Sequence, residues 1–252
     1  MAHFQVEGIT EYLKPYQPKG KEFLILNDVH IPFHDKRALN TALKYLDEVD
    51  TLILNGDIID FYGLSRFIKN PVKSFVKNEL ELTKEFLSEI RKTFKGEIIF
   101  KEGNHEDRLI KFICNNAPAL WGVENITLKA LLNFEEFNVK QIDSIQLIKI
   151  GSLYVLHGHE IFAGAGTVNI ARTYYLKTKE NILFGHRHQT QDYFDKSLNE
   201  TVKGSWAVGC LCDLNPRYMP INNWNHGFAR ISKINNQDFE IKNYKIIRGK
   251  VY

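Results

Sequence analysis

Carboxylate, carboxamide and imidazole side chains gather in five short stretches of this sequence. They are Asn27-Asp28-Val29-His30, Asn55-Gly56-Asp57-Ile58-Ile59-Asp60, Gly103-Asn104-His105-Glu106, His157-Gly158-His159 and Gly185-His186-Arg187-His188. Singly, each has a plain structural reading. Asp and Asn suit turns and caps, and a Glu such as Glu106 suits the first turn of a helix. H-G-H and G-H-R-H are less ordinary, because clustered imidazoles favour metal. The chain has nine histidines, and six of them (His30, His105, His157, His159, His186, His188) fall in these stretches, leaving only His3, His34 and His226 outside. Carboxylate and imidazole donors without thiolate suit Mn, Fe, Zn, Ni or Co in a hydrolytic site. The donors exceed one ion's needs, which points to two ions sharing a carboxylate.

The elements that must carry these donors can be read from apolar runs. Each stretch follows a run fit for a buried strand, at 22–27, 51–55, 97–101, 153–156 and 182–184. Helical spacing predicts helices over 36–49, 71–93 and 106–115, with a short one at 128–132. In the 71–93 segment Val72, Phe75, Val76, Leu80, Thr83, Phe86, Leu87 and Ile90 share a face. From Val139 onward short strands dominate, at 145–150, 189–194, 201–204, 228–231 and 239–244, with one helix at 167–175. The fold class predicted is α/β: two mixed sheets packed as a sandwich, with helices on the outer faces. Ligands of such sheets gather at the C-terminal strand ends, where the five stretches lie. Residues 1–21, with Pro15, Pro18 and Gly20, read as an irregular arm ahead of one domain over 22–252.

Composition narrows the class. The chain has 252 residues, 44% hydrophobic and 25% charged, enough for an ordinary core. Its net charge of +3 is too small to argue for nucleic acid by itself. Of three cysteines, Cys210 and Cys212 form a C-x-C pair with no second pair nearby, and Cys114 stands alone. Buried, reduced thiols are the expectation. The first twenty residues lack an apolar leader, and no run approaches the roughly 18 apolar residues of a membrane span. A cytoplasmic protein without membrane contact is expected.

The ordered set D-x-H, G-D-x-x-D, G-N-H-E, H-G and G-H-x-H, running from Asp28 to His188, resembles the calcineurin-like metallophosphoesterases. The resemblance implies a four-layer α/β/β/α sandwich and two divalent ions, with manganese the first expectation. By the family pattern, one ion takes Asp28, His30, Asp57 and His188. The other takes Asp57, Asn104, His157 and His186, so Asp57 bridges. His105 would contact the phosphate and assist the leaving group, and Asp60 would orient His105. His159 either lines the site or replaces His157; His157 is preferred because the family's ligand directly precedes Gly. Two such ions about 3.5–4 Å apart neutralise an anionic phosphate ester and activate a bridging hydroxide for in-line attack. A positioned proton donor typically adds 10²–10⁴-fold.

Arg108 and Arg187 flank the motifs, as solvated arginines or as guanidinium clamps for phosphate; Arg66 and Arg172 are weaker candidates of that kind. Trp206, Trp224, Tyr218 and Phe228 read as core, or as a base-stacking wall at the rim. The substrate is expected to be a phosphate ester. A phosphodiesterase, with nucleic acid among its candidate substrates, is the first reading. A phosphomonoesterase acting on a nucleotide, protein or small-molecule phosphate is the second. A non-enzymatic protein-binding scaffold is the third, disfavoured because no ligand of the pattern is missing. The family's protein phosphatases and dinucleotide hydrolases carry Arg-Gly after G-D-x-x-D. Here Phe61-Tyr62-Gly63 follows, which argues against both activities. Specificity is expected from 61–71, 116–132 and 160–179, including the glycine run Ala163-Gly164-Ala165-Gly166. Oligomeric state has no signature in the sequence.

Overall fold

The apolar run EFLIL becomes strand β1, Glu22–Leu26, whose residues 23–26 are all buried. A strand buried on both faces explains a continuous rather than alternating pattern. In this computed structural model, which describes residues 13–67, 75–164 and 167–252, β1 pairs in parallel with β2, Thr51–Asn55. Strand β3, Glu97–Lys101, and β4, Val139–Ile142, continue the parallel series.

A second sheet is built from β5 (Ile148–Ile150), β6 (Leu153–Leu156), β7 (Asn181–Phe184), β8 (Gln191–Lys196) and β9 (Val202–Ala207), in the order β5-β6-β7-β9-β8. Its centre, β6-β7-β9, is parallel and its edges are antiparallel. The chain then returns to the first sheet through β10 (His226–Lys233), β11 (Phe239–Ile247) and β12 (Lys250–Val251), all antiparallel. The seven-stranded order is β12-β11-β10-β1-β2-β3-β4.

Side-chain alternation assigns the layers. Phe23, Ile25, Ile53 and Ile99 meet Ile148, Val155 and Leu183 between the two sheets. Their neighbours Leu24, Leu26, Leu52, Leu54 and Phe100 face the other way, onto helices α1 (Lys36–Leu43) and α2 (Val76–Thr93). Leu156, Ile182 and Phe184 of the second sheet pack on Ile170 and Tyr174 of α5 (Ile170–Thr178). This is the α/β/β/α sandwich expected. Two further helices, α3 (Asp107–Asn116) and α4 (Leu128–Leu131), lie between β3 and β4 in the chain.

Differences from expectation are local. The helix expected over 36–49 ends at Leu43, and Leu46 belongs to a separate tight turn, Leu46–Glu48. An i+3 apolar spacing fits either conformation, so spacing alone could not divide them. The expected start of the second helix, at 71, lies outside the described residues. Strand β4 has a mixed polar sequence, VKQI, half-buried at the sheet edge, and gave no apolar run to read. The strand expected over 145–150 contracts to Ile148–Ile150. The arm is anchored at Tyr16, which bridges to Ile148 and whose hydroxyl donates to Glu97 at 2.7 Å. Among the described residues, no helix is long and apolar enough to cross a membrane.

Candidate metal centre

The C-terminal ends of β1, β2, β3, β6 and β7 converge, and their donors turn into one buried site. Asp28, His30, Asp57, His186 and His188 have φ of +53°, +54°, +53°, +63° and +56°. Such left-handed backbone is uncommon for residues with a Cβ, and strained positions of this kind cluster at functional sites. Gly56 has φ +83°, and a Cβ there would lie 2.4 Å from His157 Nδ1, so only glycine fits. The Glu106 carboxylate holds the β2 loop in shape, accepting from the N–H groups of Asp57 (2.9 Å), Ile58 (2.8 Å) and Gly103 (2.8 Å). Sequence reading placed Glu106 only in a helix turn; its role as the loop's anchor had no local signal.

Two donor groups share Asp57. On one side, His188 Nε2 is 3.1 Å from Asp28 Oδ1 and 3.4 Å from His30 Nε2. His30 Nε2 lies 3.8 Å from Asp57 Oδ2. On the other side, His157 Nε2 is 3.3 Å from that same Oδ2. Donor atoms of Asp57, His157 and His186 all fall within 4.8 Å of one another. Asn104 Oδ1 is buried without a hydrogen-bond partner, and His157 Nε2 faces Asp57 without a well-formed hydrogen bond. Unpaired buried polar atoms are costly, and a divalent cation would satisfy both. The residues therefore fit the metal pair that the family pattern implies. His159 stands behind His157, ring centroids 5.4 Å apart, with Nδ1 3.5 Å from Glu160. His157 instead has Nδ1 fixed 2.8 Å from the Asn55 carbonyl, which aims Nε2 at Asp57.

The electrostatics favour cations. Burial alone would push the Asp28 carboxyl up, yet His188 and His157 override it and hold it at about 2. Asp57 is likewise held well below the carboxylate range against burial, by His105, His157 and His30. In return, and against burial, Asp57 lifts His157 to about 10 and Asp28 lifts His188 to about 9. Burial, with His157 beside it, lowers His186 to about 3. The buried carboxylates and the imidazoles around them form one coupled cluster, whose negative charge divalent ions would neutralise.

His105 sits over the shared carboxylate, Nε2 3.7 Å from Asp57 Oδ2. Its Nδ1 is 2.9 Å from the Asp60 carbonyl and 3.4 Å from the Asp60 carboxylate. That carboxylate also meets His30 Nδ1 at 3.0 Å, so Asp60 contacts two imidazoles. Arg108 is not a free fork. Its Nη1 donates to the Asp60 carbonyl at 2.8 Å, and its Nη2 lies 2.9 Å from His105 Nε2. Arg187 is half-buried beside the site, where its charge opposes the upward push of burial on the Tyr174 hydroxyl. Arg172 is exposed on α5, and Arg66 stacks on Phe67, 5.5 Å from the ring centre.

The four aromatics divide. Phe228 is core, and Trp206 packs on Phe194 and Phe239. Trp224 instead meets the His188 ring at 4.1 Å, with Tyr218 beyond it at 6.4 Å and largely exposed. Cys210 and Cys212 are buried free thiols as expected, whereas Cys114, on α3, is exposed rather than buried. Cys212 Sγ lies 3.8 Å behind His188 Nδ1.

One support of the site is a buried ion pair. Lys101, fully buried at the end of β3, meets Glu160 at 3.1 Å. Glu160 accepts from the N–H groups of His157 and Gly158 at 3.2 and 2.6 Å. Burial would raise this carboxyl, but Lys101, His159 and His157 hold it at about 2. Removing one partner of a buried pair costs about 3–5 kcal/mol, and about 2–4 °C is lost per kcal/mol in a chain of this size. Lys101→Met should therefore lower Tm by roughly 6–20 °C. An unchanged melting curve by calorimetry would show the pair to be dispensable.

This fold and donor set define a metal-dependent phosphoester hydrolase. The chain matches the calcineurin-like phosphoesterase family over residues 21–219 and belongs to it. It is 27% identical to the gene 54 protein of Mycobacterium phage L5 and 24% identical to that of Mycobacterium phage D29. Each match covers 84% of this chain and 89% of the relative. Among solved structures, purple acid phosphatase PPD1 of yellow lupin (Lupinus luteus) is similar in fold, with TM-score 0.51 and 13% identity. That likeness covers 96% of this chain and 54% of the lupin protein.

Proposed function

We propose that the protein is a phosphodiesterase in which Asp28, His30, Asp57 and His188 hold one divalent ion, manganese by preference, and Asp57, Asn104, His157 and His186 a second. The observation that carries this reading is the position of Asp57 Oδ2, within 3.8 Å of His30 Nε2 and 3.3 Å of His157 Nε2. When bound, such a pair supplies charge neutralisation of the phosphate and a water acidified toward neutral pH. The chain's own residues do the rest. Protonated His105 would donate from Nε2 to the leaving oxygen while Nδ1–H stays on the Asp60 carbonyl. The Asp60 carboxylate lies 3.4 Å from the same Nδ1. Arg108 Nη2 must then leave His105 Nε2, and, still anchored through Nη1 on Asp60, it is free to donate to a phosphate oxygen.

A diester carries substituents on both sides of phosphorus. Aromatic rings stand near the donors to receive a second substituent: Trp224 against His188 with Tyr218 next to it, and Phe67 and Phe112 in the groove that Asn104 lines. This favours a diester over a monoester. The test compares bis-(p-nitrophenyl) phosphate with p-nitrophenyl phosphate, each with Mn²⁺ and with chelator. Metal-dependent turnover of the diester with the higher kcat/KM is expected. A preference for the monoester would move the reading to a phosphomonoesterase. Arg108→Ala removes a charge-assisted contact worth about 1.5–3 kcal/mol, so KM should rise roughly 10- to 150-fold. An unchanged KM would remove Arg108 from substrate binding.

A further inference from the structure

Helix α3 leaves the site at Glu106 and carries a stripe that the chemistry above does not use. Arg108, Lys111, Phe112 and Asn115 stand at i, i+3, i+4 and i+7, which is one helical face. That face lines a groove of about 780 Å³ whose inner end is Asn104 and whose opposite wall is Leu64, Ser65, Arg66 and Phe67. Among the described residues, no Asp or Glu lines it. The opposite wall is anchored, since Glu79 of α2 accepts from the N–H groups of Tyr62 and Gly63 at 2.9 and 3.0 Å.

The groove mixes cations with open aromatic rings. Phe67 is 67% exposed and Phe112 40% exposed, so each offers a ring surface rather than packing in the core. Lys111 pairs with Asp107 of its own helix, at 3.3 Å on the surface. Such an exposed pair is worth little and yields readily to a phosphate. Alternating cations and exposed aromatics are what a single strand needs: charge for its backbone and faces for its unpaired bases. From Arg108 to Asn115 the helix rises about 10 Å, long enough for a short run of nucleotides.

We infer that this groove binds single-stranded nucleic acid, seating the nucleotides on one side of the phosphate held at the Asn104 end. The inference rests on the phosphodiester reading for the position of the cut, but strand binding can be tested without turnover. Fluorescence anisotropy of a labelled single-stranded oligonucleotide, with the full chain in chelator, reads binding alone. Phe67→Ala with Phe112→Ala should weaken binding at least tenfold, because stacking is worth about 1–3 kcal/mol per base. Lys111→Glu, an exposed change on a solvated helix face, should also weaken binding and lower the salt slope by about one. It gives a second reading if the aromatic double variant does not fold.

Binding unchanged in these variants would overturn the inference. So would tighter binding of duplex than of single strand, or competition by a phosphopeptide but not by an unlabelled strand. With Mn²⁺, the kcat/KM ratio of oligonucleotide to bis-(p-nitrophenyl) phosphate should fall in the same variants. Groove-dependent binding without turnover of any diester would sink the phosphodiesterase reading and leave the groove standing. Diester turnover without strand binding would sink the groove alone.

Discussion

Asp57→Asn should abolish turnover and disturb both ions at once. One oxygen, Asp57 Oδ2, stands 3.3 Å from His157 Nε2 and 3.8 Å from His30 Nε2, so it faces both donor groups. An amide keeps the shape but loses the charge and half of the acceptor capacity. Metals supply several kcal/mol of transition-state stabilisation, so a loss of at least about 10³-fold in kcat is expected. Activity alone could fall for other reasons. The deciding measurement is metal content by calorimetric titration with Mn²⁺: two sites in the natural sequence, with neither tight in the variant. A variant retaining two tight sites would show that Asp57 does not bridge. The backbone should survive the change, because Glu106 rather than the Asp57 side chain anchors this loop.

His105→Ala should lose rate and keep metal. The imidazole lies above the shared carboxylate at 3.7 Å, but its Nδ1 is taken by Asp60 and its Nε2 by Arg108. Loss of a positioned acid costs about 10²–10⁴-fold in kcat. The loss should be smaller with a p-nitrophenyl ester than with an alkyl or nucleoside ester, since nitrophenolate departs without a proton. An equal loss on both substrates would remove the acid role. A fall in Mn²⁺ stoichiometry in this variant would make His105 a ligand instead, an arrangement its distance to His30 and Asp57 allows.

Much of this molecule was legible as text. The runs EFLIL, TLILN and EIIFK read as buried strands because both of their faces are covered, which leaves no polar alternation to blur them. The strand that was missed, β4, lies at a sheet edge, where polar residues intrude. The candidate donors were legible because carboxylate and imidazole are the side chains that suit such ions. Their supports were not. Glu106 reaches the loop of residues 57–59, and Lys101 reaches Glu160, across gaps in the chain that no local pattern marks. Arg108 was legible as a candidate phosphate contact, but its anchoring through Nη1 on Asp60 was not.

The sequence by itself determined the class of chemistry and the layering of the fold, because both follow from residue type and short-range periodicity. Only the tertiary structure decided which imidazole atom faces which carboxylate, that Trp224 rather than Trp206 meets the site, and that one face of α3 opens into a groove. Those facts depend on distances between segments far apart in the chain, and such distances are set by how sheets and helices pack rather than by any run of neighbouring residues.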